Sequence, residues 1–182
     1  MKPLMILPTA LFLCFSGVPL SGQNTSATIT ASSGWGEIVL KKSKYGVEKA
    51  LGPGELTPIV GSGYYLDYPA KGLRIFFTAG DNLVQSIIFY NKQRGFERFA
   101  TFRGATPDGL DWQSSADQVI GAFGKPAKDV SGKNSDCAWR RLVFKGIDFI
   151  YEDGRMVRIG IAPEDLPAPN NKQNLKKSHT RF

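Results

Sequence analysis

Ser43-Lys44-Tyr45-Gly46-Val47-Glu48-Lys49-Ala50-Leu51-Gly52-Pro53 and Ser115-Ala116-Asp117-Gln118-Val119-Ile120-Gly121-Ala122-Phe123-Gly124-Lys125-Pro126 decide how this chain is read. The stretches start 72 residues apart, and each spells a helix with punctuation at both ends. Ser43 and Ser115 suit the N-cap, where a hydroxyl accepts from an orphan amide, and Ser115 with Gln118 fits the reciprocal capping box. The triples Val47, Ala50, Leu51 and Val119, Ala122, Phe123 fall at i, i+3, i+4 on one helical face. Gly52 and Gly124 suit the left-handed stop, and Pro53 and Pro126 forbid continuation. Helices this short do not persist alone in water, so each must lay its apolar face on something.

The correspondence runs outward from the helices. Ile38-x-Leu40 stands above Leu110-x-Trp112 at the same spacing, and Gly72-Leu73-x-Ile75-x-Phe77 aligns with Gly146-Ile147-x-Phe149-x-Tyr151 after small indels. Gly80 then falls opposite Gly154. A fixed-period match of cap, apolar spacing, stop and alternation predicts two tandem copies of one α+β unit, a short helix packed on an antiparallel sheet. The first repeat is expected over 34–91 and the second over 108–162. A linker at 92–107 mixes Phe96, Arg98, Phe99, Phe102 and Arg103 with turn formers, and Phe99 to Arg103 reads as an extra edge strand.

Strand registers follow from the turns. Lys145-Gly146 is a two-residue hairpin turn, which pairs Phe144 with Ile147 and Leu142 with Phe149. A third strand, Arg155 to Ile161, follows Glu152-Asp153-Gly154. In the first copy the connection Pro69 to Gly72 pairs Tyr68 with Leu73, Leu66 with Ile75 and Tyr64 with Phe77. Its last strand, Leu83 to Tyr90, has its alternation broken by Gln85.

These registers assign faces. Leu142, Phe144, Ile147, Phe149, Tyr151, Val157, Ile159 and Ile161 belong on the side the helix covers. The opposite face, open to solvent or a partner, takes Tyr65, Asp67, Arg74 and Phe76, together with Trp139, Arg141, Val143, Asp148, Ile150, Met156 and Arg158. Asp67 is expected opposite Arg74, Tyr65 opposite Phe76, and Asp148 opposite Arg158, pairs worth about 0.2–1 kcal/mol each. Aromatic residues, Met and Arg are the types enriched where proteins meet partners, which makes Tyr65, Phe76 and Trp139 candidate anchors. β-Propensity alone would also place such aromatics on a solvated sheet.

Export is written at the amino end. Met1-Lys2, an apolar run from Leu4 to Leu20 and then small polar residues have the layout of a secretory signal over 1–22, with Gly22 or Ala27 as the residue before the cut. No membrane-spanning segment is expected once it is removed. The expected location is therefore secreted or periplasmic. Removal takes away Cys14 and leaves Cys137 alone, so stability must come from a packed core. The formal charge of +7 falls to +6 without Lys2, and the basic residues are spread over both halves, which is no nucleic-acid footprint. From Pro163 onward the chain is rich in Pro, Asn and Lys, composition expected of a disordered tail over 163–182.

Catalytic patterns are thin. The single histidine, His179, sits in the tail, so no nucleophile has an imidazole in the core. Metal-ligand spacing is missing and no cofactor is expected. Asp67 or Asp148 with Glu152 could form a carboxylate pair, but neighbouring arginines would keep them ionised. Gly61-Ser62-Gly63 opens no helix and so cannot serve as a phosphate loop. We read the chain as a non-enzyme.

A Ser-capped short helix ending in Leu-Gly or Phe-Gly-x-Pro and leading into antiparallel strands resembles the unit shared by the β-lactamase inhibitory protein family and the SmpA/OmlA outer-membrane-assembly lipoproteins. The resemblance covers about 35–162 and implies sheets side by side with helices on one face, in an exported protein-binding module. The inhibitor family's disulfides have no counterpart here, and Leu13 occupies the position before Cys14 where an acylated lipoprotein needs a small residue, so no inhibitory residue is carried over. Two functions follow: docking of another protein of the envelope or extracellular space on the open sheet face, or binding of a small ligand or envelope polymer in a groove between the repeats.

Overall fold

A computed structural model describes residues 28–61 and 63–164. The expected signal and nearly all of the expected tail lie outside these residues. Three very short strands, β1 (Ile29–Thr30), β2 (Gly34–Trp35) and β3 (Ile38–Val39), form a ribbon ahead of helix α1 (Lys44–Leu51). Four strands follow: β4 (Glu55–Ile59), β5 (Gly63–Tyr68), β6 (Leu73–Thr78) and β7 (Val84–Tyr90). Helix α2 (Ala116–Phe123) precedes another four: β8 (Lys128–Lys133), β9 (Ala138–Phe144), β10 (Ile147–Glu152) and β11 (Arg155–Ile161). The fold is α+β, and its main sheet holds eight antiparallel strands in the order β4-β5-β6-β7-β11-β10-β9-β8. The last strands of the two sets, β7 and β11, meet in the middle, with Phe89 opposite Ile159 and Ile87 opposite Ile161.

Both helices begin and end on the residues that punctuate them. Ser43 Oγ accepts from the Gly46 amide, while Ser115 Oγ accepts from Gln118 N and Gln118 Oε1 from Ser115 N, a complete capping box. The amides of Gly52 and Gly124, both at positive φ, close the last turns onto Glu48 and Ile120. Val47 and Val119 are fully buried, and around them one core gathers Leu66, Leu73, Ile75, Phe77, Ile87 and Phe89 with Leu142, Phe149, Tyr151 and Ile159. Burial of this many large side chains on one face of the sheet is the main stabilising term.

The ribbon completes the same layer. Ile29 and Ile38 are fully buried, and the Trp35 ring meets Phe102 edge-on at 5.0 Å. Ser32 N donates to Gly146 O at 3.1 Å, and a Cβ at position 146 would stand 1.7 Å from Ser32 Oγ, so glycine there serves both the hairpin turn and the ribbon's approach.

Most expected pairs occur: Phe144 with Ile147, Leu142 with Phe149, Tyr68 with Leu73, Asp67 with Arg74 and Tyr65 with Phe76. Three expectations fail. Phe99 to Arg103 forms no strand; Ala100 N donates to Pro69 O and Phe102 N to Tyr90 O as the chain passes Gly72, where a Cβ would lie 2.2 Å from Ala100 O. Phe99 thereby joins the outer side of the sheet and Phe102 the inner core.

Asp148 stands opposite Gly160, not Arg158, which faces Ile150. Met156, expected on the open face, is 1% exposed and belongs to the helix-side core, whereas Val157 does not join that cluster. Two causes combine: Glu152 pairs with Arg155, so the turn has two residues and not the expected three of Glu152-Asp153-Gly154, and a bulge follows, since Tyr151 pairs with Met156 but Ile150 with Arg158, which leaves Val157 as an extra residue. A matching bulge leaves Gln85 unpaired between Val84 and Ser86 in β7.

Candidate functional site

The side of the sheet away from the helices carries the candidate residues, and a strap formed by residues 91–99 crosses it. Phe96 N donates to Gln93 O and Phe99 N to Phe96 O, which bends the strap into two successive turns. Phe99 stacks on Tyr90 at 4.3 Å and Phe96 at 5.1 Å, and both rings close over the Arg74 guanidinium at 5.3 and 5.5 Å. One end is tied to the first half, where Arg98 pairs with Glu55 at 2.8 Å and with Asp67. The other is tied to β10, where Gln93 Nε2 donates to Glu152 at 3.3 Å. Arg94 also donates to the Asp136 carbonyl at 2.5 Å.

Beneath the strap, Asp67 and Arg74 form a two-pronged buried pair, Nε to Oδ1 at 2.6 Å and Nη2 to Oδ2 at 2.8 Å, with Thr57 donating to the same carboxylate. Burial works against the Arg74 charge, but the Asp67 hydrogen bond and nearby acidic groups outweigh it and hold the guanidinium above its ordinary value. Burial pushes the Tyr90 phenol up to about 12, despite the arginines beside it that favour the phenolate. Tyr65 and Phe76 lie beside this cluster, tilted together at 5.5 Å and half-buried.

The second half carries an ion pair of its own. Arg141 on β9 donates to Asp148 on β10 at 2.7 Å; Asp148 stands opposite Val143 and Arg141 opposite Ile150, so this pair runs diagonally where Asp67 and Arg74 are directly opposed. Arg158 approaches the same carboxylate at 3.7 Å. Gly160 leaves room for it, since a Cβ there would stand 2.1 Å from Asp148 Oδ1. Two guanidinium groups thus share one carboxylate, and Arg141 Nη2 and Arg158 Nε are buried without an acceptor. Asp148 and Arg158 are buried, while Arg141, Val143, Ile150 and Trp139 are half-exposed around them. Val130 on the edge strand β8, opposite Arg141, is 45% exposed, and the Trp139 indole lies over Gly132, where a Cβ would meet it at 2.8 Å.

The structure therefore gathers Tyr65 and Phe76 on one side of the strap and Trp139, Arg141 and Ile150 on the other. It sinks Asp67, Arg74, Asp148 and Arg158 into ion clusters and removes Met156 to the opposite side. Phe96, Arg98 and Phe99 were visible in the sequence as an aromatic and basic run, but nothing local said which surface they would cover.

Burial, followed by the Glu152 and Asp153 charges, raises the Cys137 thiol, the opposite of an activated nucleophile. Among the described residues no three His, Cys, Asp or Glu side chains form a metal-ligand cluster. No helix among them is long and apolar enough to cross a membrane.

No protein-family model matches this chain, and no curated protein does. Among solved structures, an extracellular protein containing an SCP domain from Bacillus anthracis str. Ames is similar over 87% of this chain and 50% of its own, with 8% identity and a TM-score of 0.45. This chain spans about half the length of that protein.

Proposed function

We propose that the two halves are copies of one unit, arranged as in the β-lactamase inhibitory protein group, and that the protein is an exported, non-enzymatic module that docks another protein on the outer face of its sheet. Support for the copies comes from features at matching places: the Ser43 and Ser115 caps, the Gly72 and Gly146 turns, and the bulges at Gln85 and Val157. The units would run over 34–91 and 108–162, with the strap opening the segment between them.

The observation that carries the docking reading is the half-exposed group of Trp139, Val143 and Ile150 around Arg141, set on paired strands of an eight-stranded sheet. Apolar and aromatic side chains on a rigid scaffold lose little conformational entropy on binding, and an arginine among them adds directional hydrogen bonding. A surface is favoured over a groove between the repeats because β7 and β11 hydrogen-bond directly, joining the halves in one ladder.

The test uses purified protein lacking residues 1–22 as bait for envelope and culture-supernatant fractions, with retained proteins identified by mass spectrometry. Trp139→Ala and Ile150→Asp should each cut recovery of a discrete partner at least about tenfold. Tyr45→Ala, on an exposed position of α1, should leave it unchanged. Recovery indifferent to both sheet variants, or retention of a polysaccharide only, contradicts the reading.

A further inference from the structure

The strap is a ligand the chain carries for its own first half, and it shows what the second half lacks. Over Asp67·Arg74 it supplies two aromatic rings to the guanidinium and one further arginine to the carboxylate. The charges then balance, with Arg74 and Arg98 set against Asp67 and Glu55. Over Arg141·Asp148 no such segment lies among the described residues, Arg141 keeps 15% of its side chain exposed against 10% for Arg74, and Arg141 and Arg158 face a single carboxylate. Glu152, the acidic side chain beside Trp139, is already engaged, accepting from Gln93 and the Arg94 amide.

We infer that the second half's outer patch takes a segment of a partner protein that presents a carboxylate flanked by aromatic side chains, the charge-reversed counterpart of the protein's own strap. The inference rests on the docking reading above and specifies its partner. Arg141 and Arg158 share the one Asp148 carboxylate and Arg141 Nη2 has no acceptor, so an acidic side chain suits Arg141 on β9. Trp139, Val143, Ile150 and Val130 supply the apolar frame that Tyr90 and Tyr65 supply beneath the strap. Arg141 is the point of entry, because Arg158 beneath it is 2% exposed and contributes charge without direct access.

The strap itself provides the probes. Two blocked hexapeptides are compared: residues 95–100 with Glu97→Gln, Gly-Phe-Gln-Arg-Phe-Ala, and the same peptide carrying Arg98→Glu as well. Each is titrated into the isotopically labelled protein while the Trp139 indole N–H and the Arg141 Nε–H signals are followed by NMR, with sodium acetate at equal concentration as a third arm. The Arg98→Glu peptide should shift both signals saturably and bind about fivefold or more tightly than the arginine peptide. Acetate should shift them less at every concentration.

Arg141→Gln should abolish the preference between peptides. Val130→Glu, which leaves the buried pair intact, should weaken the acidic peptide alone and keeps the test decisive if Arg141→Gln fails to fold. Equal binding of the two peptides, no saturable shift at Trp139, or shifts that acetate reproduces in full would overturn the inference. Partner recovery that depends on Trp139 but not on Arg141 would also overturn it and leave the docking reading standing. Peptide preference with no sheet-dependent partner would count against the docking reading alone.

Discussion

On the outer sheet face a strap lies over the Asp67·Arg74 pair of the first half, and among the described residues none lies over the Arg141·Asp148 pair of the second. In the first, Arg74 is held by two hydrogen bonds, roofed by Phe96 and Phe99, and matched in charge by Arg98 and Glu55. In the second, Arg141 makes one short hydrogen bond and shares its carboxylate with Arg158. The difference teaches that one connecting segment can set the surroundings of two ion pairs apart while the strands beneath both stay in antiparallel register.

Breaking the pairs one at a time should expose this asymmetry. Arg74→Met removes two hydrogen bonds to Asp67 and the cation under both strap rings, leaving the buried carboxylate to Arg98 and Thr57, and should cost about 3–5 kcal/mol. Arg141→Met removes one hydrogen bond to Asp148 together with an Nη2 that had no acceptor and leaves Arg158 beside the carboxylate, so the loss should be smaller, about 1–3 kcal/mol. Denaturant unfolding of the two variants measures both. Equal costs would mean that the halves are not differently committed.

Alkaline titration sharpens the same contrast through Tyr90, on which the strap's rings stack. Its folded value of about 12 lies above the ordinary 10.0, so the folded protein keeps the phenol proton after the unfolded chain has lost it. The stabilisation is complete below pH 10 and drains away as pH rises toward 12, up to about 3 kcal/mol for this group. Tyr68, raised to about 12 by burial and then by Glu48, adds to the slope, as does the raised Tyr151. Tyr90→Phe keeps the ring stack and should flatten the fall in stability between pH 10 and 12; an unchanged slope would remove Tyr90 from the account. The smallest effect compares the caps. Ser115→Ala breaks a complete capping box and should cost about 1 kcal/mol, and Ser43→Ala, whose cap has one hydrogen bond, somewhat less.

Much of the α+β character was legible in the residues because its signals are local: a hydroxyl three residues before an amide, a glycine before a proline, Lys145-Gly146 between alternating runs. Strands β4 and β8 were not, and both are edges. Pro58 argues against a strand in β4, and Lys128-Asp129-Val130-Ser131-Gly132-Lys133 has almost nothing to bury, since an edge borrows its order from the neighbouring strand. The bulge at Val157 was hidden for a different reason. Met156 and Val157 are both apolar, so alternation cannot say which faces the core, and the choice is made by Asn91, which donates from its side chain to Met156 O and from its amide to Val157 O.

Of the candidate site, the pairing of Asp67 with Arg74 could be read from its turn register, but the pairing of Arg141 with Asp148 could not, nor could the burial of either pair. Asp67, Arg74, Asp148 and Arg158 read as surface charges in an alternating strand, and only the strap, arriving from a segment of irregular sequence, turns the first pair into interior. Arg158 is sunk by the bulged strand and its place at the centre of the sheet.

Hydroxyl-radical footprinting of the purified protein, read residue by residue by mass spectrometry, tests the assignment of covered and open surface most directly. Met156 is intrinsically among the most readily oxidised residue types, and Tyr90 and Phe99 are aromatic, yet at 1–2% exposure all three should remain unmodified while Trp139 and Ile150 react. Rapid oxidation of Met156, Tyr90 and Phe99 in the folded protein, with Trp139 protected, would contradict the account.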